Sequence, residues 1–523
     1  MKHYLLIIPL LFALSLSAQN SKTQVSSYDM IMGSCLESKH VFRGTEYVFS
    51  DMVENVYVYA DEGLVTAKIR KFDPVSGQAM SNGRIIQYDL INGKTVWSKR
   101  IGKSDKIDLY GNSLVLTRNN SSRFLDAYSG SVRMRFDNNF YLFDEVHNIG
   151  LGYSFYGFNE LEGIDMNTSQ VLWKRKVNRD YGWNNSFYAN DATLIVVAGG
   201  IHSINIKNGN GWSYETKTGK KDYSGTIAAN VVGLALGLLT GTFVVSTGHS
   251  VVHDLVSNLW SDSTNFYLAS TEQIAKIDNL SGRVLWKSQF VTNEVGSSYV
   301  FKNRDVVCVV NRGFAYMNGR YIRFGKPFIA AYNDVTGAEI YKKQIVVGDE
   351  AVTGFDIRDN NLFLLLGNRM MKFAIETGTK LAEEYFPEKN FGELTGFAGN
   401  QIAVVAGNGK FASLNTADST SIYITMNRNR LLAIDTALQV VKTFNKEEFS
   451  TSFYETPDFK FYLKDGKVLV ANNEGRIIAE LNASNRAFMI GTAMYDIQGK
   501  SLIVADLKEM FRYNPKLSIR TIK

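Results

Sequence analysis

Few residues of this chain have the types and spacings that catalysis or metal binding requires. His249 and His253 are four residues apart and could share one face of a helix. A zinc-protease helix would carry Glu directly after the first His, where this chain has Ser250, and two His ligands alone make a weak site. An exported protein could join its two cysteines, Cys35 and Cys308, but a single pair at that separation is no disulfide framework. Cys308 lies in an apolar run typical of a buried thiol. These residues predict no metal, no catalytic group and no cofactor.

A recurring hairpin supplies the remaining candidate acids. In its two full copies, Gly follows Asp by four residues and Trp follows Asp by eight, as in Asp89, Gly93 and Trp97. The successive Asp or Asn positions 89, 126, 165 and 205 are 37, 39 and 40 residues apart, which is the period of a propeller blade. The other copies are Asp278 with Gly282 and Trp286; Asp126 with Gly130 and Met134; Asp165 with Ser169 and Trp173; Asn205 with Gly209 and Trp212; Asn333 with Gly337 and Tyr341; Ala374 with Gly378; and Asp435 with Gln439.

Turn chemistry explains the pattern without catalysis. Asp or Asn at the end of a strand accepts hydrogen bonds from the backbone of the turn, and Gly supplies the positive φ that reverses the chain. We expect each Trp to cover the interface between neighbouring blades with a large apolar surface. Apolar runs between the hairpins, such as Leu194 to Ala198 and Leu362 to Leu366, predict strands covered on both faces.

The hairpin resembles the PQQ-like (quinoprotein-like) β-propeller repeat. This resemblance, with the hairpin count, implies an all-β fold with one β-propeller of about eight four-stranded blades; two smaller propellers are the alternative. The family's quinone-dependent dehydrogenases resemble one another in an adjacent-cysteine pair at the quinone, which Cys35 and Cys308 do not form. The resemblance is therefore to the non-enzymatic binding or assembly members, although this chain has no Cys directly after its first apolar run.

The first residues have the pattern of an export signal. Lys2 and His3 precede the apolar run Leu5 to Leu16, which is too short to span a bilayer, and small residues follow. We predict a signal peptide over 1–18 and a propeller over 19–523, in the periplasm, outside the cell or in the cell envelope. The formal net charge is +6, with basic and acidic residues interspersed, so no nucleic-acid partner is expected.

One insertion interrupts the repeats. Asn205 and Asp278 are 73 residues apart, nearly twice the period, and positions 226–247 carry no charge. Within that segment Gly233, Gly237 and Gly241 recur every fourth residue, followed by Phe243. We predict an apolar, helical insertion at about 214–259, including Val251 to Leu259. It would pack on the propeller, or contact a partner protein or a membrane surface through Gly233, Gly237, Gly241 and Phe243.

These observations favour a binding scaffold that holds a protein or a cell-envelope component and is not an enzyme. Two alternatives stay open. One is a quinone-dependent (PQQ) dehydrogenase-like enzyme, which the family resemblance allows. The other is a glycan-binding propeller, which the 27 Tyr and 32 Phe residues suggest.

Overall fold

The computed structural model divides the chain into two compact units. Unit 1 comprises 1–103, 466–468 and 479–523, and unit 2 comprises 104–465 and 469–478. The structure describes residues 25–522 except 50, 60–62, 74–77, 103–104, 112, 119–120, 155–156, 223–249, 254, 291–294, 318–319, 347, 349, 399–401, 406–410, 415–419, 428, 456–458, 465–466, 473, 483–492, 497–500 and 507–516. The predicted signal peptide therefore lies outside the described residues.

Unit 1 begins with six strands. The last four form one antiparallel sheet in chain order, and the Asp89 hairpin joins its third and fourth strands. The second strand of this sheet is buried on both faces, since the consecutive residues Leu64, Val65, Thr66 and Ala67 are all buried. The strands are β1 (Val25–Cys35), β2 (Val41–Phe49), β3 (Met52–Tyr59), β4 (Leu64–Asp73), β5 (Gln78–Asp89) and β6 (Lys94–Ile101).

Among its described residues, unit 2 contains seven more four-stranded antiparallel sheets with their strands in chain order, apart from inserted hairpins. They are β7 (Lys106–Tyr110), β8 (Ser113–Arg118), β9 (Ser121–Asp126) and β10 (Val132–Phe136); β11 (Asn138–Asp144), β12 (Ile149–Ser154), β13 (Glu160–Asp165) and β14 (Val171–Lys176); β15 (Trp183–Asn190), β16 (Thr193–Ala198), β17 (Gly200–Asn205) and β18 (Ser213–Glu215); after β19 (Lys220–Asp222) and β20 (Ser250–His253), β21 (Trp260–Ser261), β22 (Asn265–Ala269), β23 (Gln273–Asp278) and β24 (Val284–Gln289); β25 (Ser298–Asn303), β26 (Val306–Asn311) and, after β27 (Phe314–Met317) and β28 (Arg320–Arg323), β29 (Phe328–Asn333) and β30 (Glu339–Gln344); β31 (Val352–Arg358), β32 (Asn361–Leu366), β33 (Arg369–Ala374) and β34 (Lys380–Tyr385); and β35 (Leu394–Phe397) with, after β36 (Ile402–Val405) and β37 (Phe411–Leu414), β38 (Ile422–Met426), β39 (Arg430–Ile434) and β40 (Val440–Phe444).

The remaining described elements are strands and two short helices. In unit 2 a further sheet has the order β37, β36, β41, β42, and in unit 1 β2 pairs with β47, which pairs with β46. The bounds are α1 (Glu388–Phe391), a 3-10 helix (Lys446–Glu448), β41 (Phe449–Glu455), β42 (Phe459–Lys464), β43 (Lys467–Asn472), β44 (Ile477–Asn482), β45 (Ala493–Asp496), β46 (Ser501–Asp506) and β47 (Leu517–Ile522). None of the helices within the described ranges is long and apolar enough to cross a membrane.

Apolar cores lie between consecutive sheets of unit 2. Ile195 and Ile201 of one sheet pack with Phe266 and Leu268 of the next, and Tyr267 of that sheet packs with Val309 of the one after. The second strand of most of these sheets is buried on both faces, as in β16, β22 and β32, which explains the continuous apolar runs of the sequence.

Eight sheets in the described part of the chain thus share one plan. Each has four antiparallel strands in chain order, apart from inserted hairpins, and the repeat hairpin joins its third and fourth strands. The predicted fold class, an all-β propeller of about eight four-stranded blades, is confirmed.

One four-stranded sheet of unit 2 does not follow the blade plan. Its order is β19, β20, β27, β28, and it combines a hairpin inserted between two blades with a hairpin inserted inside a blade. We call it the accessory sheet. The prediction of a helix including Val251 to Leu259 is wrong, because Ser250–His253 is a strand; β-branched residues such as Val251 and Val252 favour a strand.

Candidate functional site

The acids of the repeat are held in their turns. The Asp278 carboxylate accepts a hydrogen bond from the backbone N–H of Ser281 at 2.7 Å, and the Asn333 amide oxygen accepts one from Thr336 at 2.9 Å. Gly282 and Gly337 then take φ values of +70°, and Ser169 takes +63° at the equivalent position. This φ region favours glycine, which explains its recurrence there.

These hydrogen bonds also fix the charge of the carboxyl groups. Bonds from Asn92 lower the pKa of Asp89, bonds from Thr168 and Asn167 lower that of Asp165, and bonds from Ser281 lower that of Asp278. Asp126 accepts from the Ser129 backbone at 2.7 Å, ahead of Gly130 (φ +66°). A carboxylate with a lowered pKa is a poor general base at neutral pH, so the geometry gives these groups a role in the turns.

Within unit 2, the aromatic residue of one hairpin lies on the turn of the next blade. Trp173 Nε1 donates a hydrogen bond to the Ile206 carbonyl at 2.8 Å. The Trp173 ring packs against Gly209 so closely that a Cβ added at this glycine would lie 2.7 Å from the ring. The same contact, a hydrogen bond to a carbonyl together with a ring packed on a glycine, recurs in three further repeats. Trp212 binds the Asn279 carbonyl and packs on Gly282, Trp286 binds the Asp334 carbonyl and packs on Gly337, and Tyr341 binds the Ile375 carbonyl and packs on Gly378. In these four repeats, the aromatic residue therefore contacts the turn of the following repeat. In unit 1, Trp97 lies half-buried on β6.

A β-bulge sets the spacing between Asp and Trp. In the Asp278 blade, Lys276 pairs with Trp286 and Ile277 pairs with Val284, so Leu285 is an extra residue. A bulge locally bends a strand and re-aims the neighbouring side chains. The Asn205 copy shows no such shift among its described pairs, and its Trp212 comes one residue early. The residues bulged at the equivalent position of other blades are Val96, Arg133, Leu172, Ile340, Leu381 and Val441.

A group of largely buried charged residues joins two blades of unit 2. Asp334, directly after β29, has its carboxylate 2.8 Å from Lys276 Nζ and 2.6 Å from Lys302 Nζ. Lys302 is also 3.4 Å from Asp262. The Tyr267 hydroxyl lies 2.6 Å from Asp334 Oδ1 and 3.1 Å from Asp262 Oδ2. We call these five residues the interblade ion cluster.

The interblade ion cluster is matched in charge, with two carboxylates and two ammonium groups. Burial alone would raise the pKa of Asp334, but hydrogen bonds from Lys276, Lys302 and Tyr267 outweigh it and lower that pKa. Burial and the two carboxylates raise the pKa of the Tyr267 phenol. Because each charge already has an opposite partner, the arrangement favours a structural tie between blades over acid–base chemistry.

The accessory sheet has the surface that best fits a binding role. Its β27–β28 hairpin pairs Phe314 with Arg323 and Tyr316 with Tyr321, which places these four side chains on one face. The Tyr321 side chain is 52% exposed, and Arg323 is exposed beside it. Tyr and Arg are the residue types enriched at the energetic centres of interfaces.

Sequence reasoning missed this hairpin, although a signal was present. Asn333 follows Asp278 by 55 residues, well above the repeat period, and the surplus matches the hairpin. The run 312–326 contains four basic residues and no acidic residue. The residues predicted for partner contact, Gly233, Gly237, Gly241 and Phe243, lie outside the described residues, as does His249.

Other candidate chemistry has little geometric support. Within the described residues, no group of three His, Cys, Asp or Glu side chains could hold a metal ion. Cys35 and Cys308 are both free thiols, and burial raises the pKa of Cys308 to about 12.

No family model and no curated protein matches this chain. Among solved structures it is similar to BamB from Moraxella catarrhalis, with 10% identity, a TM-score of 0.30, and coverage of 72% of this chain and 96% of that one. It is also similar to the Cps50 (Swd1) β-propeller domain from Myceliophteria thermophila, with 7% identity, a TM-score of 0.26, and coverage of 74% and 94%. The designed Ika8 protein has 11% identity and a TM-score of 0.26, with coverage of 76% and 96%. Likeness at these TM-scores carries no argument about function.

Proposed function

We propose that this protein is a non-enzymatic, exported β-propeller that binds a protein or a cell-envelope component as a scaffold. The observation that carries the proposal is the accessory sheet. A propeller blade is complete with four strands, yet β19, β20, β27 and β28 form a further sheet that presents Tyr321 and Arg323 to solvent. An additional sheet with exposed aromatic and basic side chains supports a contact surface.

The state of the acidic residues supports a role without catalysis. The carboxylates of Asp89, Asp165 and Asp278 accept backbone hydrogen bonds in their turns, and Asp262 and Asp334 are paired with lysines. A quinone-dependent reaction would need a carboxylate placed to abstract a proton. The geometry thus favours the scaffold over the enzyme alternative.

The uncharged insertion fits the same proposal. Asp222 pairs with Ser250, so the chain leaves and re-enters the accessory sheet at one pair of neighbouring residues. We propose that the segment holding Gly233, Gly237, Gly241 and Phe243 contributes to the contact with the partner or membrane surface. The accessory sheet would then present two contact elements from one base.

Site-specific crosslinking tests the proposal. A photo-crosslinking residue is placed at Tyr321 and, as a matched control, at Leu172, an exposed residue on the outer strand of a blade. Exposed to the native cell envelope, the Tyr321 variant is expected to form a discrete adduct and the Leu172 variant none. Adducts at Leu172 with none at Tyr321 would contradict the proposed surface.

A second variant separates the insertion from the sheet. Residues 224–248 are replaced by a short Gly-Ser linker, which keeps β19 and β20 and their pairing. We expect an unchanged melting temperature and a weaker Tyr321 adduct. A fully retained adduct would show that the insertion has no part in binding. For the enzyme alternative, stoichiometric uptake of added quinone with calcium would overturn the scaffold proposal.

A further inference from the structure

The first strands of three successive blades of unit 2 meet at the β11–β12 turn. β11 ends at Asp144, β7 ends one residue before Gly111, and β15 carries Tyr188 near its end. The Tyr188 hydroxyl donates a hydrogen bond to Asp144 Oδ2 at 2.9 Å, and the Gly111 N–H donates one to Glu145 Oε1 at 2.9 Å. The turn is therefore held by the blade before it and by the blade after it.

The buried carboxylate of Asp144 fixes two neighbouring side chains. It accepts hydrogen bonds from the Tyr188 hydroxyl and from His147, whose ring Nδ1 lies 2.9 Å from Oδ2. Burial alone would raise the pKa of Asp144, but the hydrogen bonds from His147 and Tyr188 outweigh it and lower that pKa. Tyr188 is thus tied to an ionised acceptor while 41% of its surface stays exposed. An exposed side chain that is already fixed loses little entropy when a partner binds.

The residues around this turn offer three kinds of contact. Tyr188 presents an aromatic ring, Val146 is 84% exposed, and Glu145 is an exposed carboxylate. Among the ion pairs of the described residues, none joins Glu145 to a lysine or an arginine. We call Glu145, Val146, His147 and Tyr188 the turn surface.

The sequence that forms the turn surface is poor in basic residues. Residues 136–173, which include β11, β12 and β13, contain six Asp or Glu residues and no Lys or Arg. Residues 180–206, which include β15, β16 and β17, contain two Asp residues and no Lys or Arg. The formal net charge of the whole chain is +6, so the acidic character of these strands is local. A local negative field attracts a cationic partner.

A lysine or arginine side chain matches each part of the turn surface. Its charged group can lie over the exposed ring of Tyr188 or pair with Glu145, and its aliphatic stem can cover Val146. A segment with two basic side chains can use the ring and the carboxylate together. Phosphate groups of lipids or nucleic acids would instead be repelled by Glu145.

We infer that the turn surface is a docking site for a basic segment of a partner protein, with one lysine or arginine side chain on the Tyr188 ring and another paired with Glu145. The turn surface shares no residue with the accessory sheet, so it is a second contact surface. The inference rests on the proposed scaffold function only in assigning the segment to a partner protein. Because Glu145 is exposed, binding weakens as the salt concentration rises.

Fluorescence anisotropy of labelled peptides tests the inference with the full chain at low ionic strength. The peptides are pentalysine, pentaglutamine and pentaglutamate. The test variant is Tyr188→Ala with Glu145→Gln. The matched control is Tyr385→Ala with Glu384→Gln, which removes an exposed tyrosine and an exposed glutamate from β34, where Arg369 already lies 5.5 Å from the centre of the Tyr385 ring. Thermal unfolding of each variant verifies that the fold is retained.

The wild type and the control are expected to bind pentalysine more tightly than pentaglutamine. The test variant should bind pentalysine roughly tenfold more weakly, because it loses both the ring and the carboxylate. Glu145→Gln alone keeps an acceptor for the Gly111 N–H and should weaken binding roughly threefold, which tests the inference even if Tyr188→Ala unfolds the protein.

Three outcomes would overturn the inference: equal affinity for pentalysine and pentaglutamine, tighter binding of pentaglutamate than of pentalysine that the test variant loses, or an equal loss of pentalysine binding in the control. The Tyr321 crosslink reports on the accessory sheet alone. If the peptide test fails while that crosslink forms, the inference is overturned and the scaffold proposal stands. If the crosslink fails while the test variant loses pentalysine, the contact at the accessory sheet is overturned and the turn surface stands.

Discussion

Trp286 and Asp334 join two consecutive blades through one main-chain carbonyl. The indole Nε1 of Trp286 donates to the Asp334 carbonyl at 2.7 Å, while the Asp334 carboxylate binds Lys276 and Lys302. The same residue therefore serves both the repeated aromatic contact and the interblade ion cluster. Because Asp334 takes part in both contacts, a substitution at this residue should have a large effect on the stability of the fold.

Asp334→Ala is expected to lower the free energy of unfolding by about 3–5 kcal/mol, because it leaves two lysines largely buried without their shared carboxylate. Asp108→Ala breaks a more exposed pair with Lys106 and should cost at most about 1 kcal/mol. Urea unfolding of the two variants measures the difference. Equal losses would show that the interblade ion cluster contributes no more than a surface pair.

Gly337→Ala tests the contact between Trp and the turn. A Cβ at Gly337 would lie 2.6 Å from the Trp286 ring, and the φ of +70° is itself unfavourable for Ala. Gly111→Ala is the matched control, because Gly111 has a φ of +49° and nothing within 4 Å of its added Cβ. We expect Gly111→Ala to lower the free energy of unfolding by about 1–2 kcal/mol, and Gly337→Ala to lower it by about 1–3 kcal/mol more than that. Losses of the same size in urea unfolding would argue against tight packing at this turn.

The buried His202 is expected to make the folded protein less stable in mild acid. It is 2% exposed, and burial, with the nearby Arg175, lowers its pKa to about 4. The unfolded chain binds a proton as the pH falls below about 6.5, whereas the folded protein does not, so stability declines between these two pKa values. From pH 7.5 to pH 5 this residue should account for about 2 kcal/mol.

The measurement is the change in unfolding free energy between the two pH values within each variant. His202→Gln should show a smaller change than the wild type, and the exposed-site variant His40→Gln should not. Comparing each variant with itself removes any general cost of the substitution. An unaltered pH dependence in His202→Gln would contradict the prediction.

The two thiols should react at very different rates. Cys308 is 3% exposed with a raised pKa, whereas Cys35 is partly exposed. Because the thiolate is the reactive form, an alkylating reagent should modify Cys35 in the native protein and Cys308 only after unfolding. Mass spectrometry of the labelled peptides reads this directly. Rapid labelling of Cys308 in the folded protein would be inconsistent with its buried position.

The blade plan was predictable because its signal is local. Asp278, Gly282 and Trp286 lie within nine residues of one another. Asp278 and Gly282 shape the turn between two adjacent strands, and Trp286 packs on the turn of the next blade. The number of hairpins therefore equals the number of sheets that follow the plan. The bulge at Leu285 was not predicted, because an extra residue that recurs in most copies looks like normal spacing.

The accessory sheet could not be predicted because it depends on pairing between distant segments. Val252 pairs with Met317, 65 residues away, and neither segment belongs to the repeat. Short apolar runs such as Val251–Val252 do not distinguish helix from strand by periodicity. The interblade ion cluster was hidden for a similar reason, since Lys276, Lys302 and Asp334 occupy different positions of different repeats.

Hydrogen–deuterium exchange with and without native envelope membranes tests most directly whether the accessory sheet is the binding surface. The short edge strand β28 should exchange quickly in the free protein, whereas the buried second strands of the blades should exchange slowly in both states. We predict that membranes slow exchange in β20, β27 and β28 and leave the repeat turns at 89–93 and 278–282 unchanged. Slowing confined to those turns, with β27 and β28 unaffected, would contradict this assignment.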